Sequence, residues 1–254
     1  MLKLIIPLSL SLLSLSTSAA RLPGKYTELI RFIQPAPDQG ETNTCLFMAS
    51  TGAMELLLNR KHNVRRPRPN GRFDLSESFL IHQYNFSSRK DPQEHFIEGV
   101  IAKFNRGEAV LNRDWPVPLD AKGVAEMSVW NLHPQFPSLP RVEVPGIKSE
   151  LLFSRGRKWA TEVLLPEDVE TVKRALVERR APVIINYNDD GYWHVVLIVG
   201  YSDRAKGICY ELEEEECNKR GAFAVRDSDG KRYEFRAYNW FLKYANAAAV
   251  VELQ

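Results

Sequence analysis

The stretch CLFMASTGAMELLLNRK, residues 45 to 61, is apolar on nearly every face of the helix it would form. A helix with no polar stripe has no side to give to water, so it must lie inside, with other elements packed around it. Asn43 or Thr44 stands where its N-cap belongs. Further helices are expected in the same half of the chain. LSESFLIHQY, residues 75 to 84, has Asp74 available as a cap, and PQEHFIEGVIAKFNRG opens with Pro92 at a first-turn position and closes at Gly107. Prolines at 116, 118, 134, 137, 140 and 145 then predict a long irregular crossing from Trp115 to Gly146.

The second half changes period. After a helix expected at about 166 to 180, PEDVETVKRALVERR, come apolar runs rich in β-branched residues: PVIINY, HVVLIVGY, GAFAVRD, KRYEFRAY and AAAVVEL. Turn residues such as DDG at 189 to 191 and SDG at 228 to 230 separate them, as in a mostly antiparallel sheet or barrel. A helical part followed by a β part makes this an α+β chain. The acidic ELEEEE reads as a solvated loop.

MLKLIIPLSLSLLSLSTSAA has one lysine, an apolar core and small residues at Ser18, Ala19 and Ala20, the layout of a secretory signal peptide over residues 1 to 20. Its apolar core is too short for a good membrane span, and no later segment would cross a bilayer, so no integral membrane segment is expected after its removal. The net charge of +2 has its excess in KHNVRRPRPNGR, where Pro67 and Pro69 break any helix. That pattern predicts a solvated loop and no nucleic-acid partner.

Three cysteines in an exported chain leave at least one unpaired. Cys209 and Cys217 bracket YELEEEE and are the disulfide candidates for an oxidising compartment. Cys45 is then the odd thiol. No pair of cysteines or histidines has zinc-ligand spacing, so neither a metal nor a cofactor is expected.

Taken singly, each polar residue of interest has an ordinary explanation. Cys45 beside Leu46, Phe47, Met48 and Ala49 reads as a small buried hydrophobe. His194 in YWHVVLIV reads as a hydrogen-bonded histidine on a buried strand, Asp227 in RDSDG as a turn residue, and Gln39 before Gly40 as nothing in particular. Their order and spacing carry more than any one of them.

Gln39 and Gly40 followed by Cys45, the DLSES segment at 74 to 78, NRGEAVLNRDWPVP at 105 to 118, APVIINY before GYWHVVLIVGYSD, and finally AFAVRDSDG together resemble the papain-like cysteine peptidases over nearly the whole chain beyond residue 20. Cys45 and His194 are about 150 positions apart, as expected of a papain-type nucleophile and its histidine. The resemblance implies one two-lobed domain over residues 21 to 254, with a helical lobe to about 130, a β-barrel-like lobe after it, and a peptide or protein substrate in the cleft between them. It implies Cys45 as nucleophile, His194 as general base and acid, Asp227 as the residue orienting His194, and Gln39 as an oxyanion-hole donor. A thiol becomes a good nucleophile when ionised, which a helix N-terminus and an imidazolium both favour.

Some positions depart from the family pattern. TNTCL at 42 to 46 lacks the usual cysteine and aromatic flanking the nucleophile, and Asp229 stands where a tryptophan normally shields the bond to histidine. Asp227 replaces an asparagine, and a charged acceptor is expected to compensate for exposure to water. On this reading Asp227→Asn should retain activity. Residues 21 to 38 suffice for a short N-terminal strand and are too few for the family's usual inhibitory propeptide. A signal peptide joined directly to the catalytic domain is commoner among bacterial members, which implies a secreted or periplasmic bacterial protein. The alternatives are a papain-fold binding protein without turnover, or an isopeptide or cell-wall amide hydrolase using the same residues.

Overall fold

The computed structural model describes residues 21–40, 44–85, 107–116, 138–154, 164–189, 192–209, 217 and 220–254. The signal-like stretch, the body of the helix expected from Pro92, most of the proline-rich crossing and the ELEEEE run lie outside the described residues.

Helix α1 spans Cys45–Lys61, and every residue from Phe47 to Asn59 is buried. Thr44 occupies its N-cap position, but its side chain makes no capping bond. The far end closes firmly. Asn63 takes a left-handed φ of 53°, its amide donates to Arg60 O, and the Val64 amide donates to Asn59 O at 2.7 Å. These paired bonds satisfy two carbonyls that the last turn leaves open, and asparagine tolerates the required φ. Helix α2 spans Glu77–Asn85. Its cap is Ser76, whose Oγ accepts from the Phe79 amide at 3.0 Å. Asp74, the expected cap, is instead used by Gln34 Nε2 at 2.8 Å and the Asn70 amide at 2.5 Å.

The second half supplies a seven-stranded antiparallel sheet. Strands β1 (Lys25–Tyr26), β4 (Ile147–Ser154), β5 (Val183–Asp189), β6 (Tyr192–Ser202), β7 (Ala222–Arg226), β8 (Glu234–Ala237) and β9 (Ala245–Leu253) take the order β4-β9-β5-β6-β7-β8, with β1 also on β6. Strands β2 (Glu108–Ala109) and β3 (Val142–Glu143) form a separate pair. No closure of the large sheet into a barrel is found among the described residues. Helix α3, Pro166–Glu178, begins with Pro166 in its first turn, and the Asp168 carboxylate accepts from the Leu165 amide at 2.8 Å. A short helix α4, Tyr238–Tyr244, follows β8 directly.

Apolar side chains from α1, α3, α4 and the sheet form one core, so α1 lies against β6 with residues packed on every side. Arg226 at the end of β7 enters that contact. Its Nε donates to Gln34 O at 3.1 Å, its Nη1 to Met48 O at 3.2 Å, and its Nη2 lies 3.6 Å from Glu55 Oε2. Gly52 makes the room: a Cβ there would meet Arg226 Nη1 at 2.1 Å. Among the described residues no helix is long and apolar enough to cross a membrane. Cys209 and Cys217 are joined as a disulfide, and Cys45 is free.

Gly52→Ala is expected to destabilise the protein by about 1–3 kcal/mol through overpacking against the buried guanidinium, measured as a lower denaturation midpoint. Peptide mapping without reduction should recover Cys209 linked to Cys217 and Cys45 as an alkylatable thiol; free thiols at 209 and 217 would contradict the observed pairing.

Candidate active site

Four sequence-selected residues converge at one end of α1. Cys45 is the first residue of the helix, where unsatisfied backbone N–H groups make the local potential positive. His194 lies on β6 opposite Tyr187 of β5, and Asp227 directly follows β7. Because β6 and β7 are neighbours, the strand pairing itself brings histidine and aspartate together. Gln39 comes from the segment leading into α1. All four are buried, with exposures of 5–8%.

His194 Nε2 is 2.7 Å from Asp227 Oδ1, and Cys45 lies near enough to the ring to influence its basicity. With Nε2 engaged, Nδ1 is the nitrogen left to exchange a proton with the thiol. Burial alone would depress the His194 pKa, but the hydrogen bonds and negative charge of Asp227 and Cys45 outweigh it and raise the pKa to about 9. Burial likewise opposes ionisation of Asp227. The hydrogen bond from His194 and the charge of Arg236 prevail and hold that carboxyl well below the usual carboxylate range.

Ser228 ties Gln39 to Asp227. Its amide donates to Asp227 Oδ1 at 2.6 Å, its carbonyl accepts from the Gln39 amide at 2.9 Å, and its hydroxyl donates to Gln39 Oε1 at 2.6 Å. Occupying Oε1 leaves the N–H donors of the Gln39 side chain for another acceptor. The Ala36 amide donates to Lys231 O at 3.0 Å and Asp38 bridges Asp229, so residues 36–39 and 228–231 run together as a short ladder. Gly40 then turns away with a φ of 50°.

Sequence reasoning missed Ser228 and Arg236. Arg236 of β8 donates to Asp227 Oδ2, to Glu234 Oε1 at 2.8 Å and to Tyr187 Oη at 3.3 Å. Its guanidinium lies 4.9 Å over the ring of Trp240. The alternation of Glu234 and Arg236 along a strand was the available signal, since a strand places both on one face. The expected exposure of the His194–Asp227 bond, inferred from the missing tryptophan after Asp227, is not found. Asp227 is only 8% exposed. Tyr187 packs edge-on against His194 at 5.4 Å and against Trp240 at 4.8 Å, covering the site from other elements. No group of three or more possible metal ligands occurs among the described residues.

No protein-family model and no curated protein matches this sequence. Solved structures do match in shape. Digestive procathepsin L 3 of the Tenebrio molitor larval midgut superposes with a TM-score of 0.59 at 16% identity, over 93% of this chain and 72% of its own. The clostridial cysteine protease Cwp84 gives 0.58 at 17% identity over 91% of this chain, which spans 58% of that longer one. Bromelain from Ananas comosus, in complex with the E64 inhibitor, gives 0.57 at 10% identity over 92% of this chain and 100% of its own. The fold is that of the papain-like cysteine peptidases.

NMR titration of the His194 ring is expected to show imidazolium persisting above neutrality, with a midpoint near 9. A carboxylate partner favours the charged ring, so Asp227→Ala should move that midpoint downward. A wild-type midpoint at the ordinary value of 6.5 would contradict the assigned contacts.

Proposed function

We propose that the protein is an exported papain-like cysteine peptidase that hydrolyses peptide bonds through Cys45, His194 and Asp227, with Gln39 in the oxyanion hole. The observation that carries this reading is a histidine held through Nε2 by a buried aspartate at 2.7 Å, close to a thiol at a helix N-terminus. Gln39, with its amide oxygen occupied by Ser228, supports the rest of the assignment.

In this mechanism His194 Nδ1 takes the Cys45 proton and the thiolate sulfur attacks the scissile carbonyl carbon. The carbonyl π electrons move to oxygen. That oxyanion accepts from Gln39 Nε2 and the Cys45 backbone amide, each such donor typically worth about 3 kcal/mol. Collapse breaks the C–N bond as His194 gives its proton to the leaving amine. Water, deprotonated by His194, then attacks the thioester, and the second collapse releases the acid and restores the thiol. Asp227 keeps the ring oriented and favours its charged form throughout.

Export is supported by the Cys209–Cys217 disulfide together with the apolar N-terminal stretch of residues 1 to 20. The substrate is a peptide or protein segment lying beside Cys45 and His194. A binding module without turnover is the weaker reading, because the imidazole and carboxylate are paired and the thiol stands near them. Nothing among the described residues favours a cell-wall amide over a peptide.

An epoxide thiol probe of the E64 type is expected to modify Cys45 rapidly at pH 6, where an ordinary thiol is mostly protonated, and His194→Ala should slow it at least tenfold. Labelling of both proteins at the rate of free cysteine would defeat the activated-thiolate reading.

A further inference from the structure

We propose that Arg236 is a positioning residue that makes an aspartate workable beside His194: it neutralises the outer oxygen of Asp227, so that Asp227 and Arg236 act as one unit in place of an asparagine. The inference rests on the peptidase reading for its kinetic consequences, and on the side-chain geometry alone for its electrostatic ones.

The two oxygens of Asp227 have separate duties. Oδ1 accepts from His194 Nε2 and from the Ser228 amide, and Oδ2 accepts from Arg236. Arg236 is 3% exposed and is fixed from three elements: Glu234 on its own strand, Tyr187 on β5 and the Trp240 ring on α4. It is therefore built into the site, unlike a surface arginine folded over a convenient carboxylate. A flexible ammonium would not reproduce this set of contacts, since the planar guanidinium serves several acceptors at once.

The charged and titratable groups that bear on His194 are Cys45 from α1, Tyr187 from β5 and Asp227 from the end of β7, with Arg236 and Glu234 of β8 behind Asp227. Signs alternate along that line: carboxylate at 234, guanidinium at 236, carboxylate at 227, imidazolium at 194. Removing the charge at 227 alone leaves a buried cation next in line to the imidazole. That cation stays paired with Glu234, which it shares with Lys231, and repels the charged ring. The expectation from sequence that asparagine would serve at 227 is thereby reversed. It should serve only once Arg236 is also gone.

The test is a double-mutant cycle. Asp227→Asn, Arg236→Met and the double variant are compared by the NMR titration midpoint of His194, by the pH dependence of Cys45 alkylation, and by kcat and KM on a general protein substrate. Asp227→Asn should lower the midpoint by about one to two pH units and Arg236→Met should raise it by about one, as nearby charges do. The double variant should lie between them and recover at least tenfold of the kcat that Asp227→Asn loses, with KM little changed. Arg236→Lys should hold the midpoint within about half a unit of wild type, since it keeps the charge. Should the double variant fail to fold, the difference in midpoint between Arg236→Lys and Arg236→Gln decides the matter in its place. A double variant whose kcat is no higher than that of Asp227→Asn, or equal midpoints for Lys and Gln at 236, would overturn the pairing and leave Arg236 a packing residue. Failure of the peptidase reading has a different signature: the midpoints follow the cycle while no variant, nor wild type, hydrolyses substrate.

Discussion

Arg226 leaves β7 and enters the body of α1, where it holds the carbonyls of Gln34 and Met48 and faces Glu55. A buried cation costs several kcal/mol unless it is fully paired, so the backbone around it has little freedom to shift. Met48 lies in the first turn of α1 behind Cys45. Gln34 begins the segment that ends in Gln39, and Asp227 is the next residue along the chain. One guanidinium thus ties together the segments that carry Cys45, Asp227 and Gln39. The carboxyls around it feel the same burial: Glu55 is pushed up despite Arg226, and Glu77 is pushed up to about 7.

Much of this was legible in the sequence because its signals are local. The faceless apolar run of α1 and the β-branched runs from Val183 onward declare themselves within a few residues, and the spacing of Gln39, Cys45, His194 and Asp227 survives as a pattern along the chain. What escaped depends on partners distant in sequence. Strand β4 exposes Leu151 at 38% and has no clean alternation, so only its pairing with β9 makes it a strand. Helix α4, YNWFLKY, is rich in aromatics that favour strands, and it is helical because Trp240 and Phe241 fill space beside the sheet. Asp74 looked like a cap because nothing nearby in sequence shows that Gln34 claims it. Ser228 and Arg236 acquire roles only once the 36–39 segment, β7 and β8 lie side by side.

The cover over the histidine–aspartate bond shows how one task is divided differently here. The tryptophan that resembles a lid in the family pattern has no counterpart after Asp227. Tyr187 of β5 and Trp240 of α4 take over the apolar shielding, and Arg236 occupies the remaining carboxylate oxygen. Shielding that was contributed by one neighbour in sequence is contributed by three neighbours in space.

The ladder between residues 36–39 and 228–231 reaches beyond hydrogen-bond accounting. It joins the approach to α1 to the β7–β8 connection beside Gln39 and Asp227, so the conformational entropy of assembling these groups is surrendered when the chain folds. A ligand that met this ladder would spend little of its binding free energy on ordering it. Discrimination among ligands at such a surface falls to shape and desolvation. Induced closure, in which the correct ligand brings separate groups together and the wrong one does not, would have little to assemble between these two segments.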